Sequence, residues 1–167
     1  EGRNGPMARS FEAYSEYYDR WSQSWEAQAL LRARGVAGGA GLVHDFMTLA
    51  DRMRYPLELD PQAAREVKRI KARVENERLP QGASPSRHLK LGPGSLSDVE
   101  WLVQLLQLQH AADIPALRTT STLGALDAAT EAGLIEPAQA ELLAEAWNLA
   151  SRLRSASTLW TGLASDV

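Results

Sequence analysis

The chain has 167 residues, 44% hydrophobic and 23% charged, proportions that fit one compact domain with a core of its own. The net charge of -3 argues against a nucleic-acid binder held mainly by phosphate contacts, and no uncharged run nears the roughly 18 residues that a bilayer-spanning helix needs. With no cysteine, disulfides and thiolate zinc sites are excluded, which suits a reducing cytoplasm. The opening EGRNGP has neither an initiator Met nor a signal-peptide pattern and suggests a piece of a longer polypeptide.

Helical periodicity runs through the whole sequence, and strand signals are nearly absent. After Ser10 as N-cap, Phe11, Tyr14, Tyr18, Trp21 and Trp25 recur at alternating steps of three and four, one stripe down a helix running to about Ala33. The glycine break VAGGAG follows. A second helix from about Leu42 to Arg54 buries Phe46, Leu49, Ala50 and Met53 and stops at Tyr55-Pro56. Asp60-Pro61 opens a basic helix to about Arg78, and Leu79 to Gly94, with three prolines and three glycines, reads as a loop. Val99 to Ala111 is apolar around most of its circumference and belongs at the centre of the fold. Helices from about Ser121 to Ala132 and from Pro137 to about Trp160 complete an all-α, antiparallel bundle of about six helices with a helical appendage, one domain over 1–167.

Three stretches carry candidate chemistry. In HLKLGPGSLSDVEW, Lys90, Gly92 and Gly94 offer a cation and two points of close backbone approach ahead of a helix start, as anion sites do. The spacing matches neither a Walker loop nor a dinucleotide fingerprint. Ser97 and Glu100 have capping-box spacing and Asp98 suits the positive end of the helix, so both acids also have a purely structural role open to them. Asp98 and Glu100 diverge on the helix and make a poor pair for one metal. In WEAQALLRAR, the first stripe continues onto Gln28 and Arg32, so Arg32 is either a satisfied helix-end cation or part of a cleft. In AREVKRIKARVENER, Lys68, Lys71 and Glu75 share a face that is either solvated or a partner surface. His44, His88 and His110 have no zinc-site spacing.

Taken together, EGRNGPMARSFEAYSEYYDRW, WEAQALLRARGVAG, IKARVENERLP, HLKLGPGSLSDVEWLVQLLQLQHA and AELLAEAWNLASRLRSASTLW resemble the helical region of the bacterial glutamine synthetase adenylyltransferases over nearly the whole chain. The WEAQALLRAR form resembles the C-terminal, adenylylating half, in an actinobacterial version. The resemblance implies an upstream nucleotidyltransferase domain whose Gly-Ser turn and paired aspartates hold Mg2+ and ATP; neither signature occurs here, so no cofactor and no catalytic residue are expected in these 167 residues. The family pattern K-x-G-x-G-G, spacer, D-[IV]-E-[FW] matches Lys90, Gly92, Gly94, Asp98, Glu100 and Trp101, with Ser95 in place of the last glycine.

The resemblance implies a cytoplasmic protein whose partners are the upstream domain, glutamine synthetase and a PII signal protein, with no nucleic acid and no membrane. Lys90, Gly92, Gly94, Asp98, Glu100 and Arg32 would face the nucleotide or the catalytic domain, and Lys68 and Lys71 a partner. The alternatives are a non-catalytic interaction module for glutamine synthetase or PII, or the helical region of a PII uridylyltransferase.

Overall fold

Ser10 opens the first helix, α1 (Phe11–Trp21), its Oγ accepting from the Ala13 amide at 3.3 Å. The helix does not continue to Ala33. Ser22 and Gln23 are extended, the Ser22 hydroxyl donates back to the Tyr18 carbonyl at 2.7 Å, and α2 (Ser24–Leu30) begins afresh. The restart is fixed by the buried Glu26, whose carboxylate accepts from the Gln23 amide and the Tyr17 hydroxyl, each at 2.9 Å. The first of these bonds satisfies an amide that the break in the helix would otherwise leave to water, and the stripe breaks with the helix: Trp21 is 68% exposed. The computed structural model describes residues 8–163 and 166, so the EGRNGP opening lies outside the described residues.

The remaining elements are α3 (Ala40–Arg54), α4 (Pro61–Arg78), α5 (Leu96–His110), α6 (Thr122–Glu131) and α7 (Pro137–Thr161), with short 3-10 turns at Pro85–Arg87 and Pro115–Leu117; no strand occurs among the described residues. Asp60 caps α4 through the Gln62 amide at 2.8 Å with Pro61 at the first helical position, and Ser121 caps α6 through the Gly124 amide at 3.1 Å. α5 starts three residues earlier than its apolar run, at Leu96.

Two apolar clusters result. Leu31, Val67, Val103, Leu108, Leu117, Leu126 and their neighbours form the main core, in which α5 packs against α2, α4, α6 and α7. Tyr18, Leu30, Leu49 and Ala50, with Phe11, Tyr14, Tyr17 and Phe46 around them, form a smaller aromatic cluster of α1–α3, the appendage. Leu30 belongs to the second and Leu31 to the first, so α2 is shared by both. The seam is polar and satisfied. Arg54, buried at the end of α3, donates to the Leu30 and Ala33 carbonyls at 2.8 and 2.9 Å and pairs with Asp51 at 2.6 Å. Next to it Tyr55 lies between the Arg54 and Arg118 guanidinium groups, 5.0 and 5.3 Å from its ring centre. Burial pushes the Tyr55 hydroxyl's pKa up against the opposing pull of the two cations.

Candidate functional site

The first turn of α5 and the loop in front of it gather most of the sequence-derived candidates. His88 is buried, and its Nδ1 accepts from the Leu91 amide at 3.0 Å and the Lys90 amide at 3.3 Å, folding the loop around one imidazole. The Leu89 and Lys90 carbonyls accept from the Leu96 and Ser97 amides at 3.3 and 3.0 Å, so two of the amides that a helix start leaves open are bound by the loop itself. A Cβ on Gly92 would meet the His88 carbonyl oxygen at 2.6 Å and the Pro85 carbonyl oxygen closer still. Gly94 has φ +73, and its amide donates to Asp98 Oδ2 at 2.6 Å. Both glycines are thus required by the loop's own path.

This corrects the capping reading. Ser95 is the N-cap residue, Ser97 is buried within the helix, and the Ser97–Glu100 box does not form. The carboxylate at the helix start is that of Asp98, which also accepts from Lys71 Nζ at 2.5 Å, while Lys71 pairs with Glu75 one turn along α4. Burial works against charge on Asp98, but hydrogen bonds from Lys71 and the Gly94 amide outweigh it and hold the carboxyl below its usual range; Lys71 is correspondingly held charged, above its usual range, by Asp98 and Glu75 against its own desolvation. Asp98 is therefore the tied acid. Glu100 turns the other way, to Arg32 Nη2 at 3.2 Å, and Arg32 also donates to the Thr120 carbonyl at 3.1 Å and Thr122 Oγ1 at 3.0 Å. Arg32 is a satisfied cation linking α2, α5 and α6.

The structure thus joins Lys90, Gly92, Gly94 and Asp98 in one loop, adds Lys71 to it from α4, and places Arg32 with Glu100 in a separate bridge. Lys68 stays exposed on α4. Lys90 presents an exposed side chain from a backbone hydrogen-bonded on both sides, and among the described residues it makes no ion pair. Among the described residues no group of three or more His, Cys, Asp or Glu is placed to hold a metal ion. The nearest approach, Asp98 with Glu75, already shares the Lys71 ammonium, so these residues do not fit Mg2+. The sequence placed Glu75 on one face with Lys71 without tying either to the loop, and gave His88 no role beyond the absence of zinc-site spacing. Glu75 was legible as the i,i+4 partner of Lys71; a loop histidine that binds amides leaves no pattern.

Residues 1–48 match the family model of glutamate-ammonia ligase adenylyltransferase, and residues 62–166 match one described as GlnD PII-uridylyltransferase. The bifunctional glutamine synthetase adenylyltransferase/adenylyl-removing enzyme of Leifsonia xyli subsp. xyli is 65% identical over 167 residues, covering 100% of this chain. The chain belongs to the glutamine synthetase adenylyltransferase family. Enzymes of the same name from Mycobacterium avium and Streptomyces coelicolor are each 54% identical over 99% of the chain. Because a chain so similar to adenylyltransferases also matches the uridylyltransferase model, its helical body is of a type to which both names apply. The chain spans 17% of the length of each of these curated relatives.

Proposed function

We propose that these 167 residues are the helical domain that follows the nucleotidyltransferase domain in the adenylylating, C-terminal half of a glutamine synthetase adenylyltransferase. Its role is to complete the nucleotide cleft with the loop before α5. The parent's reaction is attack of a glutamine synthetase tyrosine hydroxyl on the α-phosphorus of ATP. Mg2+ and ATP are held by the upstream domain, and a PII protein and glutamine regulate the enzyme in the cytoplasm. The observation that carries the loop's role is Lys90: an exposed ammonium without an ion pair among the described residues, on a backbone held at both its amide and its carbonyl, beside an acid, Asp98, that is already tied to Lys71 and the Gly94 amide. An ammonium with no competing ion pair is free to meet developing phosphate charge, and its fixed backbone limits the reorganisation to the side chain. The isolated chain is proposed not to transfer AMP.

In the two-domain protein, Lys90→Ala should lower adenylylation about ten-fold or more while leaving the thermal unfolding of the helical domain unchanged. Unchanged turnover and ATP affinity would remove Lys90 from the site. The module reading keeps one residue of its own, Lys68, since Lys71 is committed to Asp98. Lys68→Glu should then weaken partner binding and leave ATP handling intact.

A further inference from the structure

α7 carries a second apolar face. Its buried side includes Ala140 and Ala150, and Ala140, Leu143 and Ala144 pack into the main core. More than a third of a turn away on the same helix, Leu142, Leu149, Leu153 and Trp160 are 67, 61, 48 and 91% exposed. They succeed one another by seven, four and seven residues, with Ala146 and Ala156 at the intervening heptad positions. That is the repeat of a helix-packing seam, with small residues where a second backbone could come close. Four large apolar side chains aligned on one face are far more than the scattered exposure normal for a free surface.

We infer that this stripe is the seat of an amphipathic helix of the same polypeptide, drawn from the part of the parent enzyme outside these 167 residues. The chain is 17% of its relative's length, so about five-sixths of the polypeptide is available. A tethered segment acts at an effective concentration near millimolar, well above that of a second copy in solution. Charge along the seam adds direction. Exposed Glu145 flanks the stripe on the N-terminal side and exposed Arg152 follows seven residues later, neither ion-paired among the described residues. The covering helix therefore carries a basic residue opposite Glu145 and an acidic one opposite Arg152. The inference does not depend on the role of Lys90.

The test uses the full-length enzyme, its own reactive cysteines replaced; this segment contributes none. Leu149→Cys and, separately, Leu153→Cys are introduced at exposed positions, and maleimide labelling is timed in the native enzyme and in concentrated urea. Native labelling at least about ten-fold slower than unfolded, independent of protein concentration and with a monomer's mass by light scattering, is the expected result. Labelling near the unfolded rate overturns the inference. So does protection that fades on dilution of a dimer, which would give the stripe to a second copy, or protection that appears only when glutamine synthetase is added.

Discussion

The two ends of α5 use the same electrostatic device for opposite purposes. At the C-terminal end, Arg118 donates to the Ala111 and Ala112 carbonyls at 2.7 and 2.9 Å, and the buried Gln107 amide spans the Leu117 and Thr119 carbonyls, both at 2.7 Å. At the N-terminal end, the Asp98 carboxylate faces the helix start and holds the Gly94 amide and Lys71. A cation sits at the negative end of the helix dipole and an anion at the positive end. The C-terminal groups spend their capacity on neighbouring loop carbonyls above a closed core. The N-terminal groups neutralise one another in a shell that still presents Lys90. Packing and presentation differ in what is left over, not in the interaction used.

If this contrast is right, damage at the C-terminal end should be paid in stability and damage at the N-terminal end mainly in loop geometry. The largest effect is expected from Gln107→Ala, which leaves the Thr119 carbonyl without its donor, takes one of two donors from the Leu117 carbonyl and opens space beside Leu117; the loss should be about 2–3 kcal/mol in urea denaturation. A loss below about 1 kcal/mol would mean that water replaces the amide and that the end is not sealed. Gly92→Ala comes next, at about 1–3 kcal/mol, because the new methyl meets the His88 carbonyl oxygen at 2.6 Å and the loop must shift. It should also move the backbone resonances of Lys90 while leaving those of α6 in place. Shifts spread evenly over both would erase the distinction between the two ends.

Asp98→Ala removes the Gly94 and Lys71 bonds together and should cost about 1–2 kcal/mol, reduced from a fully buried pair because both side chains keep part of their hydration. The pair also predicts a pH profile. The Asp98 carboxyl is held below its unfolded value, so its contribution is present above the ordinary carboxylate range and is lost as pH falls through the lowered folded value. Lys71 is raised, so its contribution is complete below the ordinary lysine range and is lost only as pH rises through the raised value. Between these limits the pair should give a flat profile, and Asp98→Ala should flatten the acid limb. An acid limb that survives the substitution would assign it to other carboxylates.

Much of the fold was legible because periodicity and caps are local. Asp60-Pro61, Ser121, Pro137 and the apolar run of α5 give helix boundaries within a few residues of those observed. The break at Ser22 was not legible, since the groups that reward it, Tyr17 and Glu26, look like ordinary members of a continuous amphipathic helix. The site was legible as a loop but not as a network. Spacing brings Lys90, Gly92, Gly94 and Asp98 together, whereas the partner of Asp98 comes from α4, 27 residues earlier, and no local pattern encodes it. The capping box failed for the same reason: Arg32, in the turn after α2 and far away in sequence, holds Glu100, and the loop carbonyls of Leu89 and Lys90 had already taken the Leu96 and Ser97 amides.

The smallest effect concerns Ser95, where the pattern that the sequence resembles would place glycine. Its φ of -83 and ψ of -173 lie in extended space open to any residue, so nothing in the backbone demands glycine. The positive φ of the loop falls one residue earlier, at Gly94. The Ser95 hydroxyl is buried and has no hydrogen-bond partner, a net cost to the folded state. Ser95→Ala removes that polar atom and should be neutral or stabilising by up to about 1 kcal/mol. Ser95→Gly removes the atom too but enlarges the unfolded ensemble by about 0.4–1 kcal/mol, so it should fall below Ser95→Ala. The two variants differ little in the space they leave around the loop, which isolates the backbone term. If Ser95→Ala instead loses more than about 1 kcal/mol, the hydroxyl has a partner, and the N-terminal end of α5 is sealed as tightly as the C-terminal one.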